Sequence, residues 1–379
     1  MKNYSIDDQK YMARALKLAQ LGEGATSPNP MVGAVVVNQG EIVGKGYHQQ
    51  YGGPHAEVFA LDKAGEKAEG ADLYVTLEPC SHYGKTPPCA KKVIDSGIKR
   101  VVVSMVDPNP EVAGRGIEML REAGIKVELG LFEEESKEVN EVFLKYIQSQ
   151  YPFIYLKKAQ TLDGYIATKS GDSKWITNSK ARNEGHKLRH KADAIMVGIG
   201  TVLADNPSLT ARLNNQEGID PLRIILDPLL EIPLSAKIIN QESEASTLII
   251  TADEFPAVAA AEAEAKKKKL KQLDQVEVLT FTVNKDNYFE IKEILKTLRN
   301  RKISSILIEG GAKLSHTFLK ENLVDKYYYF IAPKIFGGSD GTAAFCGPGP
   351  ELMSDAVDLK IIEQINLDDN ILLIAENKE

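Results

Sequence analysis

The chain has 379 residues, more than one hydrophobic core usually serves, so we expect two domains. Its composition, 43% hydrophobic and 26% charged, is that of an ordinary globular protein, and no apolar run is long enough to span a membrane. A formal net charge of −7 argues against nucleic-acid binding, and three cysteines are too few for a disulfide framework, which favours a reducing cytoplasm.

The N-terminal segment predicts a helix rather than a signal peptide. Met12, Leu16 and Ala19 recur at helical spacing, and no uninterrupted apolar stretch precedes them. Ser5 and Asp8, three residues apart, have the spacing of a helix-capping pair. The first helix is therefore expected to begin close to Ser5.

The first 145 or so residues alternate between strand-like and helix-like segments, which predicts a layered α/β domain. Asn38-Gln39-Gly40 has the residue types of a hairpin turn between the first two strands. The segments are, in order, the N-terminal helix, MVGAVVV, EIVGKGY, HAEVFALDKAG, ADLYVTLEPC, the stretch after Cys89, and RVVVSMVD.

Metal-ligating residue types stand at the junctions of these segments. His55 opens a predicted helix, Cys80 follows a buried strand in Pro79-Cys80 and is expected to start another helix, and Cys89 lies nine residues further on. One imidazole and two thiolates suit tetrahedral zinc, and three protein ligands leave a position for water, as in catalytic sites. Glu57, two residues after His55, is placed to move protons during attack on an amino-bearing ring carbon. The pattern predicts a zinc-dependent deaminase.

A second α/β organisation begins near Tyr151-Pro152, where we place the domain boundary. Its strand candidates are FIYLKKAQ, ADAIMVGIG, LRIILD, STLIITA, VEVLTF, SSILIEGG and KYYYFIAP. Gly310-Gly311 joins a buried strand to a helix, which favours phosphate binding by backbone amides at the helix start, although a plain chain reversal has the same pattern. No GxGxxG motif is present.

Several motifs resemble the bifunctional deaminase/reductase family of riboflavin biosynthesis. LEPCSHYGKTPPCA, with its eight residues between the cysteines, follows SPNPMVGAVVV and GKGYHQQYGGPHAE, and the second half contains QTLDGYIAT, DSKWIT, GIGTVLADNPSLTAR and IEGGAKL. The resemblance covers essentially the whole chain. It implies a cytidine-deaminase-like α/β domain over residues 1–147 and a dihydrofolate-reductase-like α/β domain over residues 151–379.

The resemblance also implies the site residues, the cofactors and the reaction. Zn²⁺ would be held by His55, Cys80 and Cys89, with Glu57 as the proton shuttle, and the deaminase substrate would contact Asn29, His48 and Lys85. NADPH would contact Ala159, Trp175, Thr201, Asp205, Gly311, Ala312, Lys313, Leu314, Ser315, His316 and Thr317. The reductase substrate would contact Ser173, Arg189, Leu209, Arg212 and Glu309, its phosphate being paired bidentately by the arginines, with Lys157 as the catalytic residue. The substrate is a phosphoribosylated pyrimidine, deaminated first and then reduced at the ribosyl group.

Some of these residues have simpler explanations. Asn29 stands between two prolines, where it could be a turn former, and Trp175, the one tryptophan, could be a core residue. Lys85 and His48 could be ordinary residues outside a site. Asp163 is a second candidate for proton handling but also precedes glycine, as turn formers do.

The adjacent lysines at 157 and 158 are a further open point. The family motif has a small residue where Lys158 stands, so which of the two lysines faces the site stays open.

Two other functions remain as alternatives. One is a nucleoside or tRNA deaminase with an unrelated C-terminal domain, against which the negative charge and the eight-residue intercysteine segment argue. The other is a zinc-stabilised binding protein without activity. For the leading hypothesis the partners are a small-molecule substrate and further copies of the chain in a homo-oligomer, with no nucleic acid or membrane.

Overall fold

The computed structural model describes residues 4–81, 87–109, 113–214 and 218–378. The chain divides into two compact units, unit 1 over Met1–Gln150 and unit 2 over Tyr151–Glu379. Each unit combines helices with a mixed sheet, so both belong to the α/β class that the sequence predicts. Among the described residues, no helix has the length and apolar character needed to cross a membrane.

Unit 1 contains a five-stranded sheet with helices on both faces. Its strands are β1 (Gly33–Asn38), β2 (Glu41–Tyr47), β3 (Asp72–Leu77), β4 (Arg100–Met105) and β5 (Lys126–Leu129). Its helices are α1 (Ile6–Ala19), α2 (Ala56–Ala64), α3 (Cys89–Asp95), α4 (Arg115–Glu122), α5 (Glu133–Val139) and α6 (Glu141–Gln148). The strand order is β2-β1-β3-β4-β5, with β1 antiparallel to both neighbours and β3, β4 and β5 parallel.

Alternation along β1 explains the two layers of helices. Ala34 and Val36 pack into a cluster with α2, α3 and α4, whereas Val35 and Val37 pack against α1 on the opposite face. Because β2 and β3 run in the same direction, their carboxyl ends lie at one edge of the sheet. The segments that lead into α2 and α3 therefore start from the same edge.

Local signals in the N-terminal segment are confirmed. Ser5 and Asp8 form a capping box at the start of α1, with the Asp8 amide donating to Ser5 Oγ at 3.0 Å. Gln39 and Gly40 have positive φ angles of 50° and 83° and join β1 to β2 as a two-residue hairpin turn.

Unit 2 is built on a nine-stranded sheet, β11-β10-β9-β8-β12-β6-β13-β16-β15, and a small β14-β7 pair. The strands are β6 (Phe153–Thr161), β7 (Tyr165–Ala167), β8 (Ala194–Gly198), β9 (Leu222–Leu226), β10 (Thr247–Ala252), β11 (Val276–Phe281), β12 (Ser305–Ile308), β13 (Lys326–Ala332), β14 (Thr342–Ala343), β15 (Leu359–Leu367) and β16 (Asn370–Asn377). The helices are α7 (Ser179–Lys191), α8 (Ile199–Asp205), α9 (Lys237–Asn240), α10 (Ala260–Leu270), α11 (Ile291–Asn300) and α12 (Ala312–Lys320).

The seven strands from β11 to β13 are parallel, and β16 pairs antiparallel with β13 and with β15. Ile154 and Leu156 of β6 pack with α11 and α12 in the main apolar cluster. Tyr155 faces the other way, where the Lys191 ammonium of α7 lies 5.2 Å from its ring centroid. The carboxyl ends of the parallel strands meet at one edge, which is where ligands of open α/β sheets bind.

Candidate functional site

The three predicted metal ligands converge in unit 1. His55 is the N-cap residue of α2, Cys89 is the first residue of α3, and Cys80 follows β3 in a loop. His55 Nδ1 lies 3.2 Å from Cys89 Sγ and 3.6 Å from Cys80 Sγ. The three ligand atoms all lie within 4.8 Å of one another.

The expectation that a helix starts at Cys80 is wrong. The segment after β3 stays irregular at Cys80, and α3 begins only at Cys89, with Pro88 as its N-cap residue. Proline has no N–H to donate to a helix, so it is accommodated at the first positions rather than inside. Two helix starts and one loop therefore supply the ligands.

The donor set fits zinc. Tetrahedral zinc with bonds near 2.0 Å to nitrogen and 2.3 Å to sulfur separates its ligands by about 3.5 to 3.8 Å, close to the observed spacings. The Cys89 amide donates to Cys80 Sγ at 3.3 Å, which orients that sulfur. Hydrogen bonding from the Cys89 thiol and from His55 lowers the pKa of Cys80 to about 4, so a thiolate is available there.

Glu57 lies beside this cluster and is only 3% exposed, on the first turn of α2. Burial raises the pKa of its carboxyl to about 7. A carboxyl that titrates near neutrality can both accept and donate a proton at physiological pH. Its position and its pKa both suit a proton shuttle.

Asn29 and His48 form a pair behind the cluster. His48 Nδ1 lies 3.0 Å from the Pro54 carbonyl oxygen, which can only accept, so Nδ1 carries the proton. His48 Nε2 then accepts from Asn29 Nδ2 at 3.1 Å. His48 is 2% exposed, and burial lowers its pKa, so the ring is neutral and its ring nitrogens are both used. Asn29 is thus oriented with its Oδ1 end directed away from His48.

Lys85, the third residue predicted to contact the deaminase substrate, lies outside the described residues.

Glu78, which no motif in the sequence singled out, supports the Cys80 segment. Its buried carboxylate accepts hydrogen bonds from the backbone amides of Gly114, Gly116 and Ile117 at 2.9 to 3.3 Å. A Cβ atom on Gly116 would overlap the carbonyl oxygen of Pro79. The signal was an acidic residue directly before Pro-Cys together with a Gly-x-Gly pattern further on, neither of which specifies a contact by itself.

Unit 2 contains a cavity of about 1310 Å³ at the carboxyl ends of its central strands. Of the residues predicted to contact the dinucleotide, nine line it, namely Ala159, Trp175, Thr201, Asp205, Gly311, Ala312, Lys313, Leu314 and Thr317. Of those predicted for the substrate and the reaction, Ser173, Arg189, Leu209, Arg212 and Lys157 line it. The volume is sufficient for a dinucleotide and a second ligand.

Three predicted residues are not among those that line the cavity in the described part of the chain. Ser315 is fully buried and donates to the carbonyl oxygens of Gly310 and Gly311 at 3.4 and 3.2 Å. The His316 ring packs so closely against Gly347 that a Cβ there would overlap it. Glu309 is 6% exposed and contacts the cavity through Arg189.

Arg189 is held by Glu309, which corrects the expectation that its guanidinium pairs bidentately with a phosphate. Arg189 donates through Nε and one terminal nitrogen to the two oxygens of Glu309 at 2.8 and 2.9 Å, and Lys157 Nζ lies 3.9 Å from the same carboxylate. Although burial acts to raise it, these cations lower the pKa of Glu309 to about 2. Arg212, the other arginine predicted to pair with the phosphate, is exposed and lines the cavity.

The two adjacent lysines of β6 lie on opposite faces of the sheet. Lys157 faces α7, with Glu309 and Gly185 nearby. Lys158 donates from Nζ to the Gly310 carbonyl oxygen at 2.9 Å and lies near Phe345, on the α12 side. Both border the cavity, but Lys157 is the one beside the predicted substrate residues.

The alternatives for Trp175 and Asp163 are resolved. Trp175 is 64% exposed at the cavity, with the Arg182 guanidinium 4.4 Å from its ring centroid, so the core-packing alternative is wrong. Asp163 accepts from the Phe336 and Gly337 amides at 3.0 and 2.9 Å, and these bonds together with Thr161 lower its pKa to about 2. Asp163 is therefore a loop-forming carboxylate and does not hold a proton near neutrality.

His186 of α7 also lines the cavity and was not identified from the sequence. Its Nδ1 lies 3.1 Å from the Thr210 carbonyl oxygen, and burial lowers its pKa. It stands one helical turn before Arg189, so the pattern His-x-x-Arg was the available signal.

Comparison with known protein families assigns both units. Residues 152–372 match the family described as RibD C-terminal domain, and residues 5–105 match the cytidine and deoxycytidylate deaminase zinc-binding region. The fold class expected for the two halves is thereby confirmed.

Curated relatives and solved structures match over nearly the full chain. The riboflavin biosynthesis protein RibD of Aquifex aeolicus is 52% identical over 330 residues, which cover 87% of this chain and 88% of that protein. The Escherichia coli protein of the same name is 42% identical, over 94% of this chain and 96% of its own. A structure of Acinetobacter baumannii RibD shares 38% identity with a TM-score of 0.86, covering 98% of this chain and 99% of that chain. A Thermotoga maritima diaminohydroxyphosphoribosylaminopyrimidine deaminase/5-amino-6-(5-phosphoribosylamino)uracil reductase shares 38% identity with a TM-score of 0.84, at the same coverage.

Proposed function

The chain belongs to the RibD family of riboflavin biosynthesis proteins, and we propose that unit 1 carries its deaminase and unit 2 its reductase. The enzyme deaminates 2,5-diamino-6-(5-phosphoribosylamino)pyrimidin-4-one hydrolytically and then reduces the ribosyl side chain, giving 5-amino-6-(5-phosphoribitylamino)uracil. Its cofactors are Zn²⁺ and NADPH. The observation that carries the assignment of unit 1 is the convergence of His55, Cys80 and Cys89 beside a buried Glu57.

In the deaminase, His55, Cys80 and Cys89 would hold the zinc, which supplies Lewis-acid activation of water when bound. Glu57 would take a proton from the attacking water and deliver it to the departing ammonia, and the second proton of the water ends on the adjacent ring nitrogen, so the amino-bearing carbon becomes a carbonyl. Asn29, held by His48, presents its Oδ1 to an N–H group of the pyrimidine ring. These residues bind and orient the substrate and move its protons.

In the reductase, the cavity of unit 2 takes the dinucleotide along the Gly310-Gly311 turn and the start of α12, where backbone amides favour phosphate. When bound there, NADPH would supply the hydride that reduces the ring-opened ribosyl C1′. Lys157 delivers the proton to the ribosyl nitrogen, and the Glu309 carboxylate keeps its ammonium in place. Arg212 binds the substrate phosphate at the exposed side of the cavity.

Glu57→Gln tests the deaminase proposal. General acid–base groups typically contribute about 10² to 10⁴ in rate, so ammonia release should fall by that factor. The variant should retain zinc, because Glu57 is not a ligand, and should reduce the deaminated substrate with NADPH at the normal rate.

Glu66→Gln is the matched control, since Glu66 is exposed just after α2, and it should release ammonia at the normal rate. Unchanged ammonia release in Glu57→Gln would refute the role of Glu57. Loss of NADPH oxidation in the same variant would contradict the division of activities between the units.

The alternative of a nucleoside or tRNA deaminase with an unrelated C-terminal domain is not favoured, because the C-terminal half matches RibD itself. We also propose a reducing cytoplasm as the compartment, since two of the three cysteines belong to the proposed metal site. Assembly into a homo-oligomer stays part of the proposal. The exposed apolar side chains of Ile361 and Ile362 on edge strand β15 support it.

A further inference from the structure

Lys158 is a buried amine that the mechanism above does not use. It is 2% exposed on the central strand β6, and its Nζ donates to the Gly310 carbonyl oxygen at 2.9 Å. The ring of Phe345 has its centroid 5.5 Å from Nζ. Lysine is seldom fully buried unless it is paired with an opposite charge, and the partner described here is a neutral carbonyl.

The carbonyl that Lys158 contacts belongs to the turn at the start of α12. Ser315 Oγ donates to the same Gly310 oxygen from within α12, at 3.4 Å. In a trans peptide the C=O and N–H bonds point in opposite directions, so the Gly311 amide points away from Lys158. Gly311 and Ala312 line the cavity, so an anion bound there would lie within reach of the first amides of α12.

The turn has little freedom to rotate to another orientation. Gly310 has a φ of +71°, and a Cβ on it would come within 2.8 Å of Thr201 Oγ1. Gly310 is therefore packed against α8 on one side and hydrogen-bonded to Lys158 on the other. An anion held by the Gly311 amide would lie about 8 Å from the Lys158 nitrogen, from standard peptide and hydrogen-bond dimensions.

We infer that Lys158 is a positioning residue for the dinucleotide: its side chain fixes the Gly310-Gly311 peptide with the amide toward the cavity, and it takes up a proton when the anionic pyrophosphate binds. The inference rests on the proposal that this cavity holds NADPH. The ligand chemistry it requires is a diphosphate group at the start of α12.

The electrostatic state of Lys158 supports the linkage. Burial and the neighbouring Lys157 lower the pKa of Lys158 to about 7, so above neutrality the free enzyme carries a mostly neutral amine. A bound diphosphate favours the ammonium and raises this pKa again. The ammonium of Lys158 makes its full contribution to NADPH affinity below about pH 7, the pKa of Lys158 in the free enzyme. This contribution is lost as the pH rises through the pKa of Lys158 in the complex. If binding raises the pKa of Lys158 by about one, the affinity gained is about tenfold.

Other titratable groups lie on the elements around Lys158. They are Lys157 on β6, Glu309 after β12, Tyr329 on β13, Lys313 and His316 on α12, and Cys346 in the loop after β14. The 2′-phosphate of NADPH has a pKa of about 6 and is fully ionised at about pH 8. A comparison of wild type with a Lys158 variant at the same pH cancels the contributions of the groups that do not interact with Lys158, whereas Lys157 is coupled to it and is part of what the variant changes.

Calorimetric titration of the full-length, zinc-loaded protein with NADPH, without substrate, tests the inference. At about pH 8, in two buffers of different ionisation enthalpy, wild type should take up a substantial fraction of a proton. Between about pH 7 and pH 9, the ratio of the wild-type affinity for NADPH to the affinity of Lys158→Met should fall about tenfold. On binding NADPH, Lys158→Met should take up fewer protons than wild type, the difference being the fraction of a proton that Lys158 accepts. Its KM for NADPH should be raised, with kcat little changed.

Lys313→Met is the matched control, because Lys313 is exposed at the same turn. It should weaken binding of the anionic dinucleotide and should keep the wild-type proton uptake. Wild type that binds NADPH without proton uptake, or a folded Lys158→Met with the wild-type uptake, would overturn the role of Lys158. If wild type shows no NADPH binding at any pH, the proposed cofactor site itself fails.

Discussion

Buried charges in unit 2 differ in whether an opposite charge faces them. Glu309 is surrounded by Arg189 and Lys157, and these cations outweigh its burial. Lys158 is as deeply buried but contacts a carbonyl oxygen, and burial dominates its pKa. An isolated buried ammonium lowers the free energy of unfolding. Residues that are kept for function often have such a cost in stability.

Lys158→Met should therefore stabilise unit 2 at neutral pH. The folded-state pKa of about 7 lies below the ordinary value of 10.5, so between these values the unfolded chain binds more protons and wild-type stability rises with pH. The variant lacks this dependence. At about pH 7 it should be more stable by up to roughly 4 kcal/mol, an advantage that vanishes near pH 10.5.

Denaturant unfolding followed by fluorescence of Trp175, the one tryptophan, reports on unit 2 directly. Lys296→Met, at an exposed ion pair with Glu293, should show no such pH-dependent difference. Equal stability of wild type and Lys158→Met at about pH 7 would mean that the amine is not desolvated as the structure indicates.

At the scale of elements, α4 supports the metal site by packing against the segment that carries Cys80. The start of α4 approaches Pro79 so closely that only glycine fits at position 116, and Glu78 holds the amides of that first turn. Neither residue is a ligand. Their contacts fix where Cys80 leaves the end of β3, in the way that outer-shell partners orient metal ligands.

Gly116→Ala should accordingly impair zinc binding. The added Cβ forces α4 and the Pro79 carbonyl apart, which displaces Cys80 from His55 and Cys89. Loss of such a supporting contact typically costs about 10- to 100-fold in metal affinity, to be measured by competition with a chromogenic chelator. Glu118→Ala, exposed on the same helix, should bind zinc normally. Wild-type affinity in Gly116→Ala would show that α4 can shift without moving Cys80.

At the scale of the whole molecule, each of the two units has an apolar core of its own. The clusters around β1 and β3 contain residues of unit 1, and the cluster around β6 and β12 contains residues of unit 2. The two proposed cofactors are likewise assigned to different units. Each should stabilise the unit that binds it.

Scanning calorimetry of the full chain should then resolve two responses. Zinc removal by a chelator should lower the melting temperature of one transition, and NADPH at about 100 times its dissociation constant should raise the other by several degrees. Spectroscopy of Trp175 assigns the NADPH-sensitive transition to unit 2. A single transition that responds to both treatments would contradict independent stabilisation.

Patterns within a few residues were sufficient for much of the fold and for the metal ligands. The capping box at Ser5 and the turn at Gln39-Gly40 depend on neighbouring residues only, and both are confirmed. The spacing of His55, Cys80 and Cys89 predicted a cluster that the structure brings together. The two prolines before Cys89 were a signal for the start of α3, because proline favours the first positions of a helix. The end of the strand near Pro79 instead suggested a helix that begins at Cys80.

Contacts between distant residues were decided by the tertiary structure alone. Arg189 and Glu309 are 120 residues apart, and their pairing depends on α7 packing over the end of β12. The sequence established that adjacent lysines occur on one strand, and alternation required them to face opposite sides. Only the order of the nine strands decided which face of β6 holds the substrate residues and which holds Gly310. The order of strands in a sheet is set by packing and not by position along the chain.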